Sequence, residues 1–522
     1  MIPDASVPMS ATAQTSLATA NRKGDWSATS LLVLGLLALT GLLVMGYHPG
    51  LEDDSFYLAA IKRDLNPALF PHDADFFRLQ FQATIFDKLI AFSLRGSHLP
   101  LAWVVLLWQL VAIFLLLHGC WRISRRCFPH PEGQWGAVAL VAVLLSMPIG
   151  GIAINLADQY LHPRTLATAA ILAAVVAVID RRAWLAGTCL SAALLIHIIM
   201  ASFGISLCLF LYWRMHAKED PRLSSMPIAS AFLIPLGWLF EPASDAWRQA
   251  AATRDFYFLS RWQWYEWLGV FAPLLILLAY IRFPRSRPVA ENNEVLRSFL
   301  SALLCYGSFQ MVAGILLMLP SLLDRLRPLE PMRYLHLLYM LFFLISGGLL
   351  GSCMLRRRVY RWILLFLPLA AGTFYSQRHL YPSSEHLELP FVHSGNDWLQ
   401  AFAWIRTNTP VDSLFAVDPH YEALPGEDFH GFRALAERSV LADYEKDAGM
   451  AARVPSLAPR WLKEVSARDN WSHFGPADLQ HLKNDFGAAW FIFSRRDELF
   501  SVEQPDIVCP YENYSLKVCH IY

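Results

Sequence analysis

Uninterrupted apolar runs of about 20 residues recur along this chain, and their length constrains its fold more than any other feature. As a helix, such a run spans the hydrocarbon thickness of a bilayer. The first is residues 28–46, ATSLLVLGLLALTGLLVMG. Others lie near 100–119, 135–152, 165–180, 184–198, 199–213, 226–241, 265–281, 298–320, 335–354 and 360–375, which makes eleven. Composition agrees: 55% of the 522 residues are hydrophobic and 16% are charged, against about 25% charged in a soluble domain. An ordinary cytosolic enzyme, a disordered protein and a coiled coil are excluded. Lys+Arg and Asp+Glu number 43 each, so no basic face is implied and no nucleic-acid partner is expected. The class is an α-helical polytopic membrane protein with the lipid bilayer as its surroundings.

Residues 1–27, rich in Ala, Ser and Thr, read as a disordered cytosolic tail, and the first run reads as an uncleaved anchor. Residues 184–213 form almost one run, and the basic residues decide whether it holds one span or two. Loops on the cytoplasmic side carry excess Lys and Arg. With two spans there, every second loop holds a basic cluster: Arg22–Lys23, Arg122–Arg125–Arg126, Arg181–Arg182, Arg214–Lys218–Arg222, Arg282–Arg285–Arg287 and Arg356–Arg357–Arg358–Arg361. The expectation is eleven spans with the N-terminus inside and the C-terminus outside. The transmembrane domain then covers 28–375, with a long first outer loop at 47–99, and residues 376–522 form an outer soluble domain.

That tail is long enough to bury a core. DWLQAFAWIRTNTP (397–410) reads as an amphipathic helix ended by Pro. SLFAVDP, AAWFIFS and the stretch from Asp506 to Tyr522 read as strands, which predicts a small α/β or α+β domain. Of the eight cysteines, six read as apolar packing residues, while Cys509 and Cys519 flank a turn as partners for a disulfide. No repeat of broken helices marks a transporter.

Chemistry concentrates in the outer loops. Glu52, Asp53 and Asp54 stand together just after the first span. Three adjacent carboxylates repel, so at least one needs a raised pKa or a cationic partner. A carboxylate at a membrane surface suits general-base work; capping of the helix that follows is the plainer role. His72, Asp73 and Asp75 read as a cap and a solvated loop before a surface helix. The second outer loop crowds Asp158, Tyr160, His162 and Arg164 into a short connection, where His162 and Arg164 are suited to a phosphate. The aromatic residues of 242–264 read as an interfacial belt. His197 reads as a satisfied interior residue. In the fourth outer loop Arg333 and His336 are three apart, on one helical face. An outer Arg there runs against the positive-inside bias and fits either an anionic phosphate or a pair with Glu330.

The chain resembles the GT-C superfamily of integral-membrane glycosyltransferases. The resemblance rests on the first span, on the acidic pair in DDSFY (53–57) close to the D-E-x-x-Y pattern of lipid-linked mannosyl- and aminoarabinosyltransferases, on the long first outer loop, and on about eleven spans leading to an outer C-terminal domain. WIRTNTPVDSLFAVDP and FRALAERSVLADYEK also look like the C-terminal part of uncharacterised bacterial relatives. The second acidic position is Asp54 where Glu is more usual, and Glu52 precedes the pair, which leaves open which acid is catalytic. The resemblance implies an inverting transfer of a sugar from a polyprenyl-phosphate donor to an acceptor on the outer face of a bacterial inner membrane. Asp53 or Asp54 would then be the catalytic base and His162, Arg164 and Arg333 would bind the donor phosphate, with Glu52, Tyr57, Asp158 and His336 supporting. No cofactor is required, although the acidic cluster admits a divalent metal. The alternatives are a non-catalytic assembly or recognition protein of the same shape and, behind it, a transporter. The sugar, the acceptor and the oligomeric state are not legible.

Overall fold

The computed structural model describes residues 26–77, 82–216, 243–282, 293–392, 394–424, 428, 430–501 and 507–522. The expected tail up to residue 25, the expected span 226–241, part of the surface helix (78–81) and the basic residues Arg22, Lys23, Lys218, Arg222, Arg285 and Arg287 lie outside the described residues.

The chain is mostly helical. In order the helices are α1 Ala28–Met45, α2 Asp54–Leu65, α3 Phe86–Ser97, α4 Leu101–Cys127, α5 Pro131–Val143, α6 Pro163–Ile179, α7 Ala183–Ile196, α8 Ile198–His216, α9 Asp245–Ala252, α10 Trp264–Arg282, α11 Glu294–Met318, α12 Tyr334–Leu350, α13 Val359–Leu380, α14 Asp397–Asn408, α15 Phe432–Ala436, α16 Lys446–Arg453, α17 Ala458–Ser466 and α18 Pro476–Phe486. Among the described residues, seven helical stretches are long and apolar enough to cross a membrane: α1, α4, Ile198–Met215, α10, α11, Leu323–Leu355 and α13. Three other expected spans are shorter helices: α5 with 13 residues, α6 with 17 and α7 with 14. The run at 135–152 ends early because Met147–Pro148–Ile149–Gly150–Gly151 cannot continue a helix. It turns instead into a two-stranded antiparallel ribbon, β1 (Pro148–Ile149) with β2 (Ile154–Asn155).

Residues 184–213 are two helices divided at His197, whose backbone is extended and whose Nδ1 accepts the Met200 N–H at 3.3 Å. α5 and α12 approach closely because both present glycine, as helices in lipid commonly do. A Cβ at Gly136 would stand 2.6 Å from the Gly347 carbonyl oxygen. At the end of the bundle where α4 and α6 finish, Arg126 holds Asp180 with two bonds of 2.8 Å, and Arg357 reaches Glu132 at 2.8 Å.

The C-terminal region carries a five-stranded mixed sheet. Its strands are β3 (Leu414–Ala416), β4 (Ser439–Val440), β5 (Trp490–Ser494), β6 (Ile507–Glu512) and β7 (Leu516–Ile521), in the order β4-β3-β5-β7-β6. β3 runs parallel to β4 and β5, while β7 is antiparallel to β5 and β6. α14 covers one face, packing Trp398, Phe402 and Ile405 against Phe415, Ile492 and Val518. The other face meets Trp471, Leu479 and Leu482 through Phe491 and Phe493. Cys509 and Cys519 form a disulfide across the β6–β7 pair.

This region is keyed into the segments around α2 and α9 rather than standing apart. Phe76, Trp247 and Tyr257 share a core with Ala442, Ala448 and Trp461, and Met450 packs with Phe56 and Phe77. Two expectations are corrected here. Asp73 is not in a solvated loop: it is fully buried, with Arg433 Nε at 2.5 Å and the Val440 N–H at 3.0 Å. Trp247 is not a belt residue, since its indole N–H donates to the Ala452 carbonyl at 2.8 Å in the interior. A buried carboxylate needs a cation, and here the cation comes from the far end of the chain. Glu388 adds a second tie, with His48 Nδ1 at 2.8 Å and His430 Nε2 at 3.1 Å. Burial would raise its carboxyl, but the two imidazoles hold it down, to about 2.

Candidate functional site

Between the loops that follow α1, α5, α9 and α11 and the C-terminal region lies a cavity of about 560 Å³. Glu52 and Asp53, Asp158 and Arg164, Arg254, Glu330 and Arg333, and Lys446 and Arg453 all line it. Glu422 and Glu445 line it as well, so six separate segments bring ionisable groups to one place.

Glu52 and Asp53 occupy the turn before α2, and their exposure, 37% and 38% of each side chain, is toward the cavity. Lys446 Nζ, itself buried, pairs with the Glu52 carboxylate and lies 3.7 Å from Asp53 Oδ1. Burial opposes the charge on Asp53, but Lys446, Arg453, Arg254 and Arg333 outweigh it and hold that carboxyl well below the usual range. Asp53 is thus ionised at neutral pH. The repulsion expected among the three acids is resolved by a cation from the C-terminal region and by neutralising the third acid. Among the described residues, no group of three or more His, Cys, Asp or Glu side chains is placed to hold a metal ion, and Lys446 supplies the positive charge at the acidic cluster.

Asp54 points elsewhere. It is 1% exposed, is absent from the cavity wall, and accepts the Gly50 N–H at 2.7 Å. Burial first, then Asp158 and Asp53, push its pKa up, to about 8, against the pull of the Gly50 bond and Lys62. Neither Asp53 nor Asp54 caps α2 through its side chain; Asp54 instead ties the turn that presents Asp53.

The phosphate candidates separate in the same way. Arg164 lines the cavity but is committed to Asp158, with Nη2 at 2.5 and 2.6 Å from its two oxygens. His162 does not reach the cavity; its Nδ1 accepts the Arg164 N–H at 2.9 Å and caps α6. Burial and the neighbouring Arg164 push its imidazole well below the usual value, so it is neutral. His336 is buried with Nε2 3.0 Å from the Leu156 carbonyl, also off the wall. Arg333 does line the cavity, and its partner is Glu330, as the pairing alternative held. The same carboxylate accepts Arg453 Nη2 at 2.7 Å. One acid therefore holds two guanidinium groups side by side and leaves a net positive charge.

A second pocket of about 260 Å³ adjoins the first. Asp53, Arg333 and Arg453 line both, and beyond them the second is walled by Tyr57, Ile196, Ile198, Ile199, Pro328 and Leu329. His197 lies on this wall, at the break between α7 and α8. Polar and apolar spaces thus meet at one ionised carboxylate and two arginines.

Lys446, Arg453 and Arg254 were not singled out from sequence. Lys446 and Arg453 are seven residues apart, two turns of α16, so both stand on one face. That spacing was the available signal. Residues 396–455, which include α16, match the family model Domain of unknown function (DUF6798). No curated protein matches the chain. The matched segment supplies Glu422, Lys446 and Arg453 to the cavity.

Proposed function

We propose that the chain is a GT-C-type glycosyltransferase of a bacterial inner membrane. It would have eleven spans, a cytosolic N-terminus and an outer domain at 376–522, and would move a sugar from a polyprenyl-phosphate donor to an acceptor with inversion. One observation carries the reading: an ionised Asp53 beside the Arg333–Arg453 pair where a polar cavity meets an apolar pocket. An amphiphilic phosphodiester fits such a junction. Its phosphate would lie on the two guanidinium groups, its sugar in the larger cavity, and its first isoprenoid units against Ile196, Ile198, Ile199 and Leu329.

The chemistry follows. Asp53 accepts the proton of the acceptor hydroxyl as that oxygen attacks the anomeric carbon, and the bond to the phosphate breaks. Arg333 and Arg453 stabilise the departing anion. A carboxylate held low by four cations is a weak base, but a bound phosphate would offset two of them and let Asp53 rise toward its ordinary basicity. The order of binding would thus arm the base. The Cys509–Cys519 bond supports an oxidising outer compartment. The odd number of spans has support too. The basic ends of α4, α6 and α12 lie away from the cavity, while the α7–α8 junction, the N-terminal ends of α6 and α12 and the C-terminal end of α13 meet around it.

The test is release of polyprenyl phosphate by the purified full chain from a panel of polyprenyl-phosphate sugars, wild type beside Asp53→Asn. Release by the wild type, reduced 10²-fold or more in the variant, is expected. Equal turnover by the two proteins would discard Asp53 as the base, and with it the mechanism.

A further inference from the structure

One guanidinium in the cavity belongs neither to an ion pair nor to the donor site. Arg254 reaches it from the segment after α9. Its Nη2 donates to the Glu445 carbonyl at 2.5 Å, and no described carboxylate forms a close ion pair with it, although the Glu445 carboxyl on the same wall feels its charge. Of the five N–H donors on an arginine, one on Nη2 is thus engaged, by a backbone oxygen, among the described residues. Every other arginine named on this wall has an acid: Arg164 has Asp158, while Arg333 and Arg453 share Glu330.

The helix beneath has made room for it. Gly449 sits inside α16, where glycine costs about 1 kcal/mol relative to alanine. A Cβ there would stand 2.7 Å from Arg254 Nη2, 3.1 Å from Nε and 3.2 Å from Cζ. The Nη2–Nε edge of the guanidinium leans on bare backbone, at the price of a weaker helix. Its charge is among the four that act on Asp53, so a group held by Arg254 is close to the reacting carboxylate.

We infer that Arg254 binds an oxyanion on the acceptor, so that the acceptor is an acidic molecule bearing a carboxylate or a phosphate. Arg254 would hold that group by paired hydrogen bonds and turn a neighbouring hydroxyl toward Asp53. This rests on the cavity being a glycosyl-transfer site. It adds a substrate class, and it gives the segment after α9 a role in specificity.

The experiment is calorimetric titration of the purified full chain with glucuronate, glucose 6-phosphate and neutral glucose. At least one acidic sugar should bind 10-fold or more tightly than glucose, and which one does so separates carboxylate from phosphate. Arg254→Gln should abolish the preference, and Arg333→Gln should leave it. Gly449→Ala keeps the arginine but pushes it off the helix, and should weaken the preference at least 3-fold. This variant reports even where Arg254→Gln fails to fold. A preference lost in Arg333→Gln and kept in Arg254→Gln would overturn the inference, because the anion would then sit at the donor pair. Equal binding of all three sugars would overturn it as well. Neither result touches the Asp53 release assay, which stands or falls separately.

Discussion

At the scale of single residues, two neighbouring aspartates have opposite fates. Asp53 faces four cations and is ionised; Asp54 faces a backbone N–H and other acids, and burial keeps it protonated at pH 7. Asp54→Asn should therefore keep turnover within a few-fold of wild type, because an amide oxygen can still accept the Gly50 N–H. Its stability should change with pH. An unfolded Asp releases its proton near 3.8, whereas Asp54 in the folded chain does so near 8. Between those values the folded state binds more protons, so its stability falls as pH rises. The melting temperature of wild type relative to Asp54→Asn should therefore drop between about pH 5 and about pH 8. A constant difference would mean that Asp54 is not protonated in the fold. The acidic cluster was legible in the sequence because its members are adjacent. Which acid faces the cavity was not, since one turn of backbone at Gly50 decides it.

At the scale of elements, periodicity and run length located most pieces. The apolar runs within the described residues became helices, and SLFAVDP, AAWFIFS and the C-terminal stretch became β3, β5, β6 and β7. Misreadings arose where a local pattern met a distant partner. Trp247 looks like a belt aromatic until Ala452 is placed beside it, and Asp73 looks solvated until Arg433 arrives. The helix of the 135–152 run stops short of the run's end, because proline and glycine there make a ribbon instead. The contact between α5 and α12 gives a prediction. Gly136→Val would force a side chain into the Gly347 carbonyl and the Gly351 Cα at 3.0 Å, and should destabilise the protein by about 1–3 kcal/mol. Gly35→Ala in α1 has nothing within 4 Å of the added methyl and should leave the melting temperature unchanged or slightly raised. Equal effects of the two substitutions on thermal unfolding in detergent would show that α5 and α12 do not pack closely.

At the scale of the molecule, the proposed topology is open to a direct check. An odd number of spans puts the two termini on opposite sides of the membrane. A cysteine-directed reagent that cannot cross the bilayer should label a cysteine placed after Tyr522 in intact spheroplasts, and should spare one placed in the first 25 residues. Labelling of both would require an even number of spans and would take the cavity's proposed side with it. The ion pair of Lys446 with Glu52 joins side chains 394 positions apart. A ribosome adding about 5–20 residues per second makes Lys446 some 20–80 s after Glu52. Through that interval the first helices can already be in the bilayer while the acidic turn has no partner. The cationic side of the cavity is therefore made last, and a chain cut short between α13 and α16 has the apolar helices without Lys446 and Arg453. Messages that break off there would yield protein whose Glu52 and Asp53 lack their cation, and uncompensated acids give quality-control proteases a mark to read.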